Sequence, residues 1–195
     1  MTTAFVLGNG ISRKAISLLH LRQYGPIYGC NALYRDFTPD VLVATDRPIS
    51  AQIQDSGYPM KNKFYTRRPF TGHGALPVPT DYFGYSSGPI ATGIAALDGY
   101  STIYLIGFDM GPSPTQGFNN IYADTEFYRT STSNPTYTGN WIKQLCHVMT
   151  DFPTIKFIRI MGPTSSTIKE FDSLKNLEYL DLSTFADRIN NQKDL

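Results

Sequence analysis

The chain has 195 residues, with 17 Lys plus Arg against 16 Asp plus Glu for a net charge of +1, and two cysteines. That near-neutral balance gives no basis for a nucleic-acid or anionic-membrane surface, and Cys30 and Cys146 lack the CxxC spacing of a zinc or redox site. Length and uniform composition suit one α/β domain over residues 1–195.

Thr3-Ala4-Phe5-Val6-Leu7 reads as a buried strand, Gly8-Asn9-Gly10 breaks it, and Ile11, Ala15, Leu18 and Leu19 recur at helical spacing. The layout is that of a nucleotide site: glycines let the backbone approach a ligand, Ser12 can cap the helix, and the helix start offers N–H groups to phosphate. Arg13 stands where the dinucleotide fingerprint has its third glycine, which disfavours NAD. The plainer alternative is a turn that uses glycine for geometry alone. No basic leader follows Met1 and no run reaches membrane-spanning length, so a soluble, cytoplasmic protein without a membrane-spanning segment is expected.

Ile27–Cys30 reads as a second strand ending on Asn31, about twenty residues past the turn, where dinucleotide enzymes place an acid. An amide there can donate as well as accept. Val41–Ala44 is the third strand, with Asp46 beyond its end as either a turn former or a ligand contact. A helix is predicted over Gln52–Pro59 and a fourth strand over Lys61–Tyr65. Pro69–Tyr85, which holds His73, reads as a long functional loop. Ser87 or Gly88 then caps a helix beginning near Pro89, and Thr102–Asp109 follows as a strand. Met110–Tyr137 reads as an irregular lid. Gly139 and Asn140 open a helix through Met149, Ile155–Ile160 is the last clear strand, and the tail from Thr167 reads as polar helix. The pattern is a Rossmann-like domain with a mainly parallel central sheet, strand one inside it, and long lid-like loops.

Three blocks resemble the short bacterial sialyltransferases that use CMP-sialic acid. Val6-Leu7-Gly8-Asn9-Gly10-Ile11-Ser12 is similar to that family's AGNGPS turn, and Gly29-Cys30-Asn31-Ala32-Leu33-Tyr34 to its CNxxY strand end. Ser86-Ser87-Gly88 through Asp98-Gly99-Tyr100 and Tyr104-Leu105-Ile106-Gly107-Phe108-Asp109 is similar to its TSG helix and LGYKEIYLxGxD strand. The resemblance implies that Asn9 and Asn31 contact the nucleotide and that Asp46 falls near a family asparagine on the cytidine side. It further implies that Ser86, Ser87 and Gly88 line the donor site and that Tyr122 faces the leaving phosphate.

The family's general base is a histidine in a YxGH segment, where this chain reads Tyr137-Thr138-Gly139-Asn140, and an amide cannot take a proton at neutral pH. His147, about 10 Å further along the helix, and His73 are the other candidates. No DxD pair or His and carboxylate cluster marks a metal site, which implies a metal-independent reaction. The function expected is transfer of a sugar from a CMP-sugar, as donor substrate with no separate cofactor, to an unidentified acceptor hydroxyl; a homo-oligomer is left open. A non-catalytic sugar-nucleotide binder and a pyrophosphokinase-like enzyme remain as alternatives.

Overall fold

In the computed structural model, which describes residues 2–191, β1 (Thr3–Leu7) lies inside an eight-stranded sheet. The other strands are β2 (Ile27–Cys30), β3 (Val41–Val43), β4 (Phe64–Thr66), β5 (Leu76–Pro77), β6 (Thr102–Ile106), β7 (Lys156–Met161) and β8 (Leu177–Asp181). Their order is β5-β4-β3-β2-β1-β6-β7-β8, and every pairing is parallel. The chain walks outward from β1 to β5, then returns to the other side of β1 as β6. This reversal opens a crevice at the carboxyl edge between β1 and β6, where open α/β sheets bind ligands.

Continuous apolar runs in β1 and β6 follow from burial on both faces. Ala4 and Val6 pack with Ile103 and Leu105 under α3 (Ser87–Leu97) and α4 (Gly139–Asp151). Phe5 and Leu7 point the other way, with Tyr104 and Ile106, toward α2 (Arg47–Asp55) and α5 (Leu182–Asn191). Ile49 and Ile53 on α2, and Phe185 and Ile189 on α5, fill that side.

Several local expectations need correction. The first helix is broken into a 3-10 turn (Ile11–Ala15) and one turn of α-helix, α1 (Leu18–Leu21), with Ile16 extended between them. Ser12 caps nothing, because its hydroxyl and amide both donate to Asp109. The helix after β3 begins at Arg47 rather than Gln52, with Pro48 in its first turn, where a missing N–H costs no helical bond. The stretch Pro69–Tyr85 contains β5, which extends the sheet beside β4. The tail from Thr167 is not simply helical: β8 pairs with β7 before α5 begins. The long irregular stretch is real, with no helix or strand between β6 and α4.

Candidate functional site

Where β1 and β6 end, their backbones cross too closely for side chains. A Cβ on Gly8 would lie 2.4 Å from the Gly107 carbonyl oxygen, and one on Gly10 would lie 2.5 Å from the Asp109 carboxyl carbon. The Gly8 amide donates to Ile106 O and the Gly10 amide to Gly107 O, which fastens the turn to β6. Both glycines are therefore required by packing within the protein, and they line the cleft as well.

Asn9 is held from two sides: its Nδ2 donates to Cys30 O at 3.2 Å, and its Oδ1 accepts from Arg13 Nη1 at 2.9 Å. Arg13, the residue in place of the third glycine, is itself buried and also donates to Gly8 O and the Tyr122 hydroxyl. Asn31 takes a left-handed backbone (φ 55), which asparagine tolerates. Its Oδ1 accepts from Ser87 Oγ at 3.0 Å, and that Oγ accepts from the Thr45 amide at 3.1 Å. The ends of β2 and β3 are thereby joined to the start of α3.

Ser86 precedes α3 in extended conformation, so the Ser87 and Gly88 amides fall in the first turn, where no helical carbonyl can reach them. Together with Gly8, Asn9, Gly10, Asn31 and Asp46, they line a cleft of about 320 Å³. Arg67 is the cation on this lining. Its Nη2 donates to Tyr85 O at 2.6 Å, and its Nε has no partner among the described residues.

Asp109, 3 % exposed, anchors the floor. Its carboxylate accepts from Ser12 N and Oγ, Asn119 Nδ2, Thr164 Oγ1 and Ser165 Oγ. Beneath it the fully buried Arg159 donates to the carbonyls of Phe108, Asp109 and Ser166, and burial pulls its pKa down. Asn119 accepts from the Ile11 amide, and the Ile121 amide donates to Asn9 O, so the long irregular stretch is fastened to the glycine turn. The Cys30 thiol donates to Leu7 O, and desolvation pushes its pKa up to about 12.

A second compartment of about 410 Å³ adjoins the first, and Asn31, Asp46, Asn120, Thr136 and Trp141 line both. Its far wall carries Phe118, Phe127, Tyr128, Arg129 and Tyr137. Arg129 lies over the Phe118 ring, 4.6 Å from its centroid.

The residues expected to serve catalysis do not gather here. Tyr122 is only 5 % exposed and lines neither compartment; its hydroxyl is taken up by Arg13, and burial pushes its pKa up to about 12. Asn140 is exposed at the start of α4, outside both linings, because the helix directs the lining role to Trp141. His147 contacts the Tyr85 hydroxyl and Asp151 at 3.8 Å, also away from the cleft. Tyr137 reaches the second compartment, with 78 % of its surface exposed. Ser12 lies behind the cleft, against Asp109.

Sequence reasoning missed the anchoring roles of Asp109 and Arg159. The available signal was a charge inside the apolar run Ile155–Ile160, since an arginine in a buried strand needs several acceptors. Among the described residues, no group of three or more His, Cys, Asp or Glu is placed to hold a metal, and no helix is long and apolar enough to cross a membrane.

No family model and no curated protein matches the sequence. Among solved structures, the chain is similar to the sialyltransferase CstII from Campylobacter jejuni in complex with cytidine-5'-monophosphate. The TM-score is 0.56 and the identity 14%, over 92% of this chain and 85% of that one. CstII in complex with the substrate analogue CMP-3FNeuAc matches with a TM-score of 0.55 and 14% identity, over 98% and 100% of the two chains. A variant of that enzyme in complex with CMP gives 0.56 and 15%, over 82% and 81%. At such identity the likeness is one of fold.

Proposed function

We propose that the cleft binds a nucleotide-activated sugar, a CMP-sugar above all, and that the protein passes the sugar to an acceptor hydroxyl without a metal ion. One observation carries the reading: the Gly8–Gly10 turn, Asn31 and the start of α3 meet on one cleft, in a fold whose solved neighbours hold CMP or a CMP-sugar analogue. The donor's phosphate belongs at the Ser87 and Gly88 amides, where N–H groups and the helix dipole favour an anion. Arg67 adds the compartment's positive charge, and both features stabilise negative charge as CMP leaves. Asn9 and Asn31, held by Arg13 and Ser87, are pre-oriented for the nucleoside.

Thermal unfolding with CMP, UMP, GDP, AMP and NAD tests the binding half. CMP is expected to give the largest shift, corresponding to about 2.7 kcal/mol at a hundredfold excess over its Kd. CMP release from CMP-N-acetylneuraminic acid tests the transfer half. A second reading, binding without turnover, draws on the placement of Asn140 and His147 outside the cleft; it predicts the CMP shift with no CMP release. A protein stabilised by none of these nucleotides would overturn both.

A further inference from the structure

The proposed reaction needs a group to take the acceptor's proton, and the cleft offers few. None of the chain's three histidines lines either compartment. His20 packs edge-on against Tyr24, His73 contacts Gln54 O, and His147 is held by Tyr85 and Asp151. Cys30 lines the cleft, but its thiol is buried, donates to Leu7 O and is hard to ionise. Asp109 also lines the cleft, but its carboxylate is buried and already accepts from donors on four residues. Tyr128 uses its hydroxyl to accept from the Ala32 amide, and desolvation raises its pKa.

Asp46 differs from all of these. It is exposed beyond the end of β3 and lines both compartments at the neck between them. It occupies the capping position of α2, where an aspartate ordinarily accepts from the first-turn amides, yet its side chain makes no capping bond. Pro48 removes one of those amides, and no ion pair among the described residues includes Asp46. Beyond the neck, Phe127 is held at φ 68 with 48 % of its surface exposed. That backbone is strained for an aromatic residue, and it keeps the ring on the second compartment's wall.

We propose that Asp46 accepts the proton of the acceptor hydroxyl, which reaches it from the aromatic compartment while the donor occupies the first. This assignment rests on the sugar-transfer reading above. As the acceptor oxygen bonds to the donor's anomeric carbon, its proton passes to the Asp46 carboxylate. The bond from that carbon to the phosphate oxygen breaks, its electron pair stays on the phosphate, and CMP departs; Asp46 then gives the proton to water. The carboxylate thus takes the role expected of a histidine at position 140, from the end of β3 rather than from α4.

The test compares the parent with Asp46→Asn and Asp46→Ala, using CMP-N-acetylneuraminic acid as donor and water or lactose as acceptor. CMP release should fall about a hundred- to ten-thousandfold in both variants, the usual contribution of a positioned base. The Kd for CMP should stay within about threefold in Asp46→Asn, which keeps the side chain's shape but cannot take a proton, and sodium formate should restore part of the rate to Asp46→Ala. Normal CMP release by Asp46→Asn, or a loss confined to CMP affinity, would overturn the assignment while leaving sugar transfer standing. A parent that binds CMP but releases none from the donor would overturn the transfer reading itself, and this assignment with it.

Discussion

Position 109 shows how one side chain acquires a role that its sequence neighbourhood conceals. Asp109 follows the apolar run of β6 like an ordinary turn former, yet it gathers donors from Ser12, Asn119, Thr164 and Ser165 into the floor of the cleft. Arg159 holds the same backbone from below through the carbonyls of Phe108, Asp109 and Ser166. Replacing Arg159 with Ala should therefore cost about 3 kcal/mol or more, because it strands buried carbonyls and opens a cavity. Urea unfolding measures this loss; a midpoint unchanged from the parent would show that the clamp contributes nothing. Gly10→Ala drives a methyl into the Asp109 carboxyl group, and overpacking of this kind costs about 1–3 kcal/mol. The variant should also lose nucleotide-induced stabilisation, since the turn cannot shift without moving Asn9.

At the start of α5, one carboxylate gathers three donors. The Asp181 carboxylate accepts from the Ser183 hydroxyl and from the Thr184 amide and hydroxyl, so its pKa lies below the ordinary carboxylate range. A folded-state pKa below the unfolded one stabilises the structure above the unfolded value, about 3.9, and that contribution fades as pH falls through the folded value. Amide protection in α5 should accordingly weaken below about pH 4, and Asp181→Ala should weaken it already at pH 7 and flatten the acid dependence. Equal protection in parent and variant across this range would argue that Phe185 and Ile189 alone hold the helix. The strand that leads into α5 shows why it was not foreseen. Glu178 and Tyr179 lie exposed on the sheet edge, with Lys156 paired to Glu178 at 2.8 Å, so β8 carries the charge of a surface helix. Edge strands are kept polar to discourage further pairing, and this erases the apolar signature by which strands are recognised.

Across the whole molecule, the parallel order places β1 and β6 at the centre and β5 and β8 at the margins. Among the strands, amide exchange should be slowest in Phe5–Leu7 and Ile103–Ile106 and fastest at Leu76 and in Leu177–Asp181, because central strands exchange only through the largest openings. Within the irregular stretch, Ile121 should be protected by its bond to Asn9 O, while residues near Tyr137 exchange freely. Uniform exchange from 110 to 137 would show that the contacts to the glycine turn do not anchor it. The central strands and α3 were legible in the sequence because a segment buried on both faces must be apolar along its length, and because Ser, Gly and Pro mark a helix start wherever it occurs. The glycine turn, Asn31 and the Ser86–Gly88 segment were legible for a related reason: strand ends and helix starts of a parallel sheet gather at one edge. The broken helix after Gly10, the withdrawal of Tyr122 to Arg13, the exclusion of His147 and the free carboxylate of Asp46 at the neck were not. The first three depend on partners distant in sequence, such as Asp109 for Ser12 or Tyr85 for His147, and the last on the lack of one; only the folded chain decides which of many possible donors and acceptors stand within bonding distance.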